Sequence, residues 1–245
     1  IRITRSSGVW ATEPGELWRF PSGASGVLPT SAFRSAVVAP ATRTHAKPWV
    51  ALVRDSDTPY WVAGTINPAP YVALSLGSFS GSFAPAATGD TPHLLYMAAT
   101  DDIFACLGVN YVKIPADDEP SAVLFTPEIP DPDLSPYGDI PCRTSLPARP
   151  AAACIFGGRP FLAGFALDPQ RIIWGAPNEY WTVWPESNDA RISDAGGGKI
   201  IALIPADEVL YVITTVGIWR ATLADPEGQN ESNLFIDLVE EVRCT

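Results

Sequence analysis

Histidine is nearly missing from this sequence, with His45 and His93 the only two in 245 residues. A Ser-His-Asp relay or an imidazole-bound metal needs a histidine fixed beside its partner, so both chemistries have little to work with. Cysteine is also scarce. Cys106, Cys142, Cys154 and Cys244 show no CxxC spacing and no ligand-spaced histidine, so no zinc site is expected. Cys106 in IFACL and Cys154 in AAACIF sit in apolar runs, the usual setting of buried free thiols. A Cys142–Cys154 disulfide stays open, with no secretory feature to favour it. Charge is thin, at 18% of residues, and its sign is lopsided: 16 Lys and Arg stand against 27 Asp and Glu, for a net charge of -11. Gripping a phosphate backbone takes clustered Lys and Arg, and here they are scattered. Such acidity suits DNA that passes by without being held, and it equally suits a strand-rich protein kept soluble by its charge. No apolar run reaches the ~18 residues that span a bilayer, so no membrane span is expected. The chain opens on IRITRSSGVW, without Met and without a signal-peptide pattern; processing and a longer parent both stay open.

What is present in quantity is proline, 25 residues, and glycine, 19 residues, placed between apolar runs and not in one linker. They cut the chain into segments too short for ordinary helices and favour strands joined by turns. The runs ELWRF (16–20), AFRSAVV (32–38), WVALVR (49–54), YWVAG (60–64) and YVALSL (71–76) are rich in β-branched or aromatic residues. So are HLLYMA (93–98), IFACL (103–107), NYVKI (110–114), SAVLFT (121–126), RPFLAGF (159–165) and RIIWG (171–175). YWTVW (180–184), KIIALI (199–204), VLYVIT (209–214) and GIWRATL (217–223) complete the set. Only ESNLFIDLVEEV near the C-terminus offers a helix, through Leu234, Leu238 and Val242, and period two fits it equally well. KIIALIPADEVLYVITTVGIWRATL reads as a meander that turns at Pro205-Ala206-Asp207 and again at Thr215-Val216-Gly217. A looser copy runs from His93 to Ile114. Repetition at roughly 40–50 residues predicts an all-β, β-propeller-like array of four-strand antiparallel meanders, about four blades in all. A β-sandwich with long loops is the second architecture. The expected divisions are N-terminal meanders over 1–125, a Pro-rich loop or connector over 126–150, and C-terminal blades over 151–245; the whole also reads as one continuous domain.

Motifs for chemistry fail when inspected. GSFSG (77–81) places Phe79 where a nucleophile elbow needs serine. GGGKI (196–200) lacks the upstream glycine and the Ser or Thr of a phosphate loop. The acidic pairs Asp55/Asp57, Asp101/Asp102, Asp117/Asp118/Glu119 and Asp131/Asp133 match no calcium loop and read as turn residues. No catalytic residue, metal site or cofactor is expected.

Two stretches invite a contact role. RIIWGAPNEYWTVWP (171–185) gathers Trp174, Tyr180, Trp181 and Trp184, apolar on both faces, as in a buried seam or a contact surface. Glu179, Glu186, Asn178 and Asn188 keep a sugar platform in view, and with it a secreted carbohydrate-binding protein or glycosidase as the alternative function. TPEIPDPDLSPYGDIPCRTSLPARP (126–150) has seven prolines in 25 residues, so no strand ladder runs through it. Long loops in compact β domains usually interact, as does GSFSGSFAPAATGD (77–90). Trp174, Tyr180, Trp181, Trp184, Pro130, Pro132 and Tyr137 are the interface candidates.

The block RPFLAG, RIIWGAPNEYWTVWP, a glycine-bearing polar loop, then KIIALIPADEVLYVITTVGIW resembles a segment of tailed-bacteriophage tail and head–tail connector proteins. It covers about residues 159–223, a quarter of the chain. The resemblance implies a propeller blade of the tail nozzle or hub in a non-enzymatic virion protein. It implies assembly in the host cytoplasm, with copies of itself in a ring and other tail, portal or adaptor proteins as partners. DNA would pass through that ring without specific binding.

Overall fold

The fold is given by a computed structural model, which describes residues 92–115, 123–192, 198–224 and 234–239 in full and the remaining strands by backbone alone. It is all-β. Three short strands open the chain: β1 (Ile3–Ser6), β2 (Val9–Thr12) and β3 (Glu16–Arg19). A four-strand sheet follows, of β4 (Phe33–Ala39), β5 (Trp49–Arg54), β6 (Trp61–Thr65) and β7 (Val72–Leu76). The next sheet holds β8 (His93–Met97), β9 (Asp102–Leu107), β10 (Asn110–Pro115) and β11 (Val123–Leu124). Then come β12 (Ala152–Phe156), β13 (Arg159–Phe165), β14 (Asp168–Trp174) and β15 (Asp189–Arg191). The last sheet is β16 (Ile200–Ala206), β17 (Val209–Thr214), β18 (Gly217–Leu223) and β19 (Leu234–Glu241). In every sheet the strands lie side by side in chain order and each neighbouring pair is antiparallel.

The sheets are stacked by their first strands: β4 lies against β8, β8 against β12, and β12 against β16. That is how meander blades pack, although the described sheets do not close into a barrel or ring. The middle sheet β12–β15 is apolar on both faces because it is covered on both. One face, with Cys154, Phe161, Ile172 and Trp174, packs on Leu203, Leu210, Val212 and Ala221 of the last sheet. The other, with Leu162, Phe165 and Ile173, packs on Leu95, Phe104 and Cys106 of the preceding sheet. All seven residues of β13 are therefore buried, where a half-exposed strand would alternate. Each large apolar side chain so buried contributes about 1.5–3 kcal/mol. Gly164 interrupts this strand at a bulge, with φ +71°; a Cβ there would sit 2.7 Å from the Ile200 carbonyl oxygen of the neighbouring sheet.

Several expectations need correction. The C-terminal segment is a strand, since β19 pairs with the free edge of β18 from Leu223↔Leu234 to Gly217↔Glu241. Leu234 and Ile236 pack inward while Phe235 is exposed, which is period two. YWTVW is not a strand: Asn178–Tyr180 is a turn of 3₁₀ helix, begun with Asn178 at φ 53°, and residues 181–185 make only isolated bridges. The β16–β17 turn is Asp207-Glu208, two residues later than predicted, with Asp207 at φ 49°. Strands β1, β2, β12 and β15 were not anticipated. The loop 77–90, Gly196 and Gly197, the acidic groups at 55–57 and 117–119, His45 and Cys244 lie outside the described residues.

Candidate functional site

The stretch 174–186 and the loop 126–150 form one structure. Gly175 donates its N–H to the Pro160 carbonyl at 3.0 Å, which ends the pairing of β14 with β13 and turns the chain outward. Ala176 then donates to the Val183 carbonyl and Val183 to the Tyr180 carbonyl, each at 2.8 Å, closing a tight knot. Within it Trp181 and Trp184 fall on the side facing the preceding sheet, while Trp174 faces the following one.

The rings answer to two different cores. Trp181 stacks on Phe125 with centroids 5.3 Å apart and planes 12° from parallel, and it tilts against Phe104 at 5.3 Å. Its indole Nε1–H donates to the Thr100 hydroxyl at 2.8 Å, in the turn between β8 and β9. Lys113 Nζ lies 5.6 Å from the centre of the Trp181 ring and 3.0 Å from the Asp102 carboxylate. Trp184 approaches Phe104 at 6.1 Å. Trp174 instead stacks on Phe161, 5.5 Å away and 13° from parallel. Exposure is 1% for Trp174 and 0% for Trp181 and Trp184. A ring buried within its own chain has no surface to offer a second one, so these three are seam residues between sheets, not contact residues.

The Pro-rich loop is laid down on the same knot. Glu128 donates its N–H to the Thr182 carbonyl at 2.9 Å, and the Thr182 hydroxyl donates to the Glu128 carboxylate at 2.7 Å. Further on, Arg143 donates its N–H to the Trp184 carbonyl and Glu186 to the Pro141 carbonyl, both at 2.8 Å. Between these two attachments the loop folds over a small core of Tyr137, Ala176 and Val183, with Tyr180 tilted against Tyr137 at 5.5 Å. Tyr137 is buried to 1% exposure, and burial raises its phenol pKa while nearby Arg159 pulls the other way. Gly138 is required there, because a Cβ would lie 2.3 Å from Pro132 Cα. Tyr137 and Pro130 are thus inward-facing, and of the loop candidates only Pro132 is exposed. Tyr180 is half-buried.

Charge secures the loop. Asp189 on β15 accepts from the Arg143 guanidinium at 2.8 Å and also from Arg171 on β14, a pairing that raises the Arg171 pKa. Arg143 donates once more to the Glu186 carbonyl at 2.9 Å. Asp131 accepts the Asp133 N–H at 2.9 Å, so this acidic pair builds a turn. Glu179 and Glu186 are exposed and do not converge on a ring platform. Among the described residues no cluster of three or more His, Cys, Asp and Glu could hold a metal, and no helix is long and apolar enough to cross a membrane. Cys106, Cys142 and Cys154 are free thiols, so no Cys142–Cys154 bond forms. Burial pushes Cys154 up to about 12 and Cys106 well above its usual value.

Arg143 and Asp189 were not singled out in the sequence, and Thr100 and Phe125 were read only as parts of the 93–114 meander and the SAVLFT run. Arg143 and Asp189 are 46 residues apart and Thr100 and Trp181 are 81 apart, and no local pattern marks such pairs.

No family model and no curated protein sequence matches the chain. Among solved structures, one similarity is to PorZ, described as a bacterial surface component of the type-IX secretion system of Porphyromonas gingivalis. It has 11% identity and a TM-score of 0.39, over 85% of this chain and 28% of that one. The chain thus spans less than a third of that protein's length.

Proposed function

We propose that the chain is a structural protein of a bacteriophage tail, of nozzle, hub or head–tail connector type, and that copies of it form part of a ring around the DNA exit channel. The observation that carries this reading is the form taken by residues 159–223. The block that resembles phage tail proteins folds as parts of two consecutive meander sheets, packed face to face through Phe161, Trp174, Leu210 and Val212. Phe161, Phe165, Trp174, Trp181 and Trp184 are buried between sheets, which suits a mechanical part. In a sugar-binding site the indoles would instead lie open beside paired carboxylates. The acidic balance supports a channel through which DNA moves without being held. The protein's role is mechanical, its partners are its own copies and the neighbouring tail, portal or adaptor proteins, and its place is the virion, assembled in the host cytoplasm.

Immunogold electron microscopy tests this. Antibody against the chain is applied to particles released from cells that carry its gene. Gold confined to the tail is the expected result. Particles without label, together with oligosaccharide binding by the purified chain, overturn the reading in favour of a carbohydrate-binding protein.

A further inference from the structure

The three sheets from β8 to β19 run their strands in the same sense. His93, at the start of β8, hydrogen-bonds the backbone at Pro150 and Ala151, which lead into β12. A Cβ on Gly164, near the end of β13, would meet Ala151 and the carbonyl of Ile200, the first residue of β16. The starts of β8, β12 and β16 therefore share one end of the array. The turn between the second and third strands of each sheet lies at that end too. Arg149 donates its N–H to the Gly108 carbonyl at 2.8 Å, and Lys199 and Thr215 exchange bonds at 3.0 and 2.9 Å, which ties two connectors to these turns.

Such turns ordinarily hold Gly, Asn, Asp or Ser. Here the second turn residue is aliphatic in all three sheets: Val109 is 45% exposed, Leu167 100%, and Val216 is half-buried. One exposed leucine needs no explanation, but the same place filled three times makes a row, about 20 Å long at the usual sheet spacing of about 10 Å. Charge divides along the same axis. Arg149, Arg191 and Lys199 are exposed at the tip end, where Arg191 reaches Asp168, the neighbour of Leu167, at 2.5 Å.

Strand β14 begins beside Leu167 and ends at the knot, so the knot and the Pro-rich loop laid on it form the opposite end. Asp131, Asp133 and Asp139 of the loop are exposed there, with Glu179 of the knot and the Asp207-Glu208 turn. Among the described residues no Lys or Arg is exposed at this end, and the remaining exposed cation, Arg220, lies mid-strand against Asp237. The loop also shows two aliphatic side chains between its carboxylates, Ile129 at 61% and Leu134 at 84% exposure.

Resting on the ring reading, we infer that the row Val109, Leu167, Val216 is a subunit contact, and that its occupant is the Pro-rich loop of a second copy. Only this pairing sets cations against carboxylates while apolar side chains meet; tip against tip or loop against loop brings like charges together. The loop is held in shape by its prolines and by Tyr137 beneath it, so little order is lost when it docks. The contact joins two different surfaces, so it passes from copy to copy and closes into a ring when the rotation permits.

The test measures self-association of the whole chain by sedimentation, for wild type, Leu167→Asp, Leu134→Asp, an equal mixture of these two, and Leu238→Asp. Leu238 is 50% exposed and lies opposite Trp219 within the last sheet, so it adds the same charge away from both ends. The expected result is a wild-type oligomer that added salt weakens. Leu167→Asp and Leu134→Asp should each associate about thirtyfold more weakly, the scale of an interface hot spot. Their mixture should form a dimer, because the intact loop of one fits the intact tip row of the other. Leu238→Asp should match wild type, and all variants should keep its far-UV circular dichroism. If wild type associates and the two end variants match it, or their mixture stays as weak as either alone, the contact is overturned while the ring reading stands. Loss of association in Leu238→Asp alone would move the contact to the last sheet and overturn it likewise. If wild type is a monomer at every concentration, both fall, and tip-dependent binding of that monomer to phosphatidylserine vesicles would give the row to a lipid surface.

Discussion

Arg143 in the Pro-rich loop donates to Asp189 on β15 at 2.8 Å, 46 positions along the chain, and Asp189 is shared with Arg171 on the adjacent strand. One carboxylate therefore fixes both the edge of a sheet and the loop laid over it. Arg143→Ala is expected to lower stability by about 1–2 kcal/mol, since its side chain is mostly buried but the pair is not wholly dry. The same variant should speed proteolysis within 126–150. Denaturant titration and limited digestion check both, and an unchanged digestion pattern would mean that the backbone bonds at Glu128 and Glu186 hold the loop alone.

Trp181 carries the seam between two sheets. Trp181→Ala should cost about 3–5 kcal/mol, the range for truncating a buried large ring. Thr100→Val keeps the shape but strands the indole N–H, and should cost about 1–3 kcal/mol. Were Trp181 an exposed platform, Trp181→Ala would stay within about 0.5 kcal/mol of wild type. The shift of the denaturant midpoint decides between these.

The thiols give a chemical readout of the same burial. With Cys244 replaced by Ser, a thiol reagent at mild alkaline pH should leave Cys106 and Cys154 unmodified in the native protein, and should reach only half-buried Cys142, slowly. All three should react at once in denaturant. A reducing agent should not shift the melting temperature, because no disulfide joins them.

His93 sets a pH dependence. Burial lowers its pKa below the ordinary 6.5, against weaker opposing effects from the Pro150 and Ala151 backbone. The unfolded chain then binds the proton more readily than the folded one, so stability rises with pH across the interval from the folded pKa up to 6.5. Below 6.5 the unfolded state takes up its proton and stability falls. His93→Gln should flatten the stability profile between about pH 5 and 7.5, where carboxylates are not yet protonated. An equal slope in wild type and variant would contradict this.

The all-β class and the meander order were legible because they rest on local signals: β-branched runs between turn residues. β8–β10 and β16–β18 follow from such runs alone. β19 was ambiguous because Leu234, Leu238 and Val242 repeat at helical spacing; pairing with the open edge of β18 overrides that preference. YWTVW was misread for the opposite reason. Its rings suit a strand, but Trp181 and Trp184 pack on the preceding sheet while Tyr180 and Val183 pack on the loop core around Tyr137, and a knot can satisfy both where a strand cannot. The seam role of Trp181 and Trp184 depends on Phe104, Phe125 and Thr100, all more than fifty residues upstream, and no spacing rule reaches that far. The inward turn of Tyr137 was hidden likewise, since proline density shows that a segment is irregular but not what it folds against.

Electron microscopy of the isolated native particle, with its symmetry read from class averages, tests the central claim most directly. The account predicts a closed ring of identical subunits around an open axial channel. Single, asymmetric particles the size of one 26.2 kDa chain would contradict it.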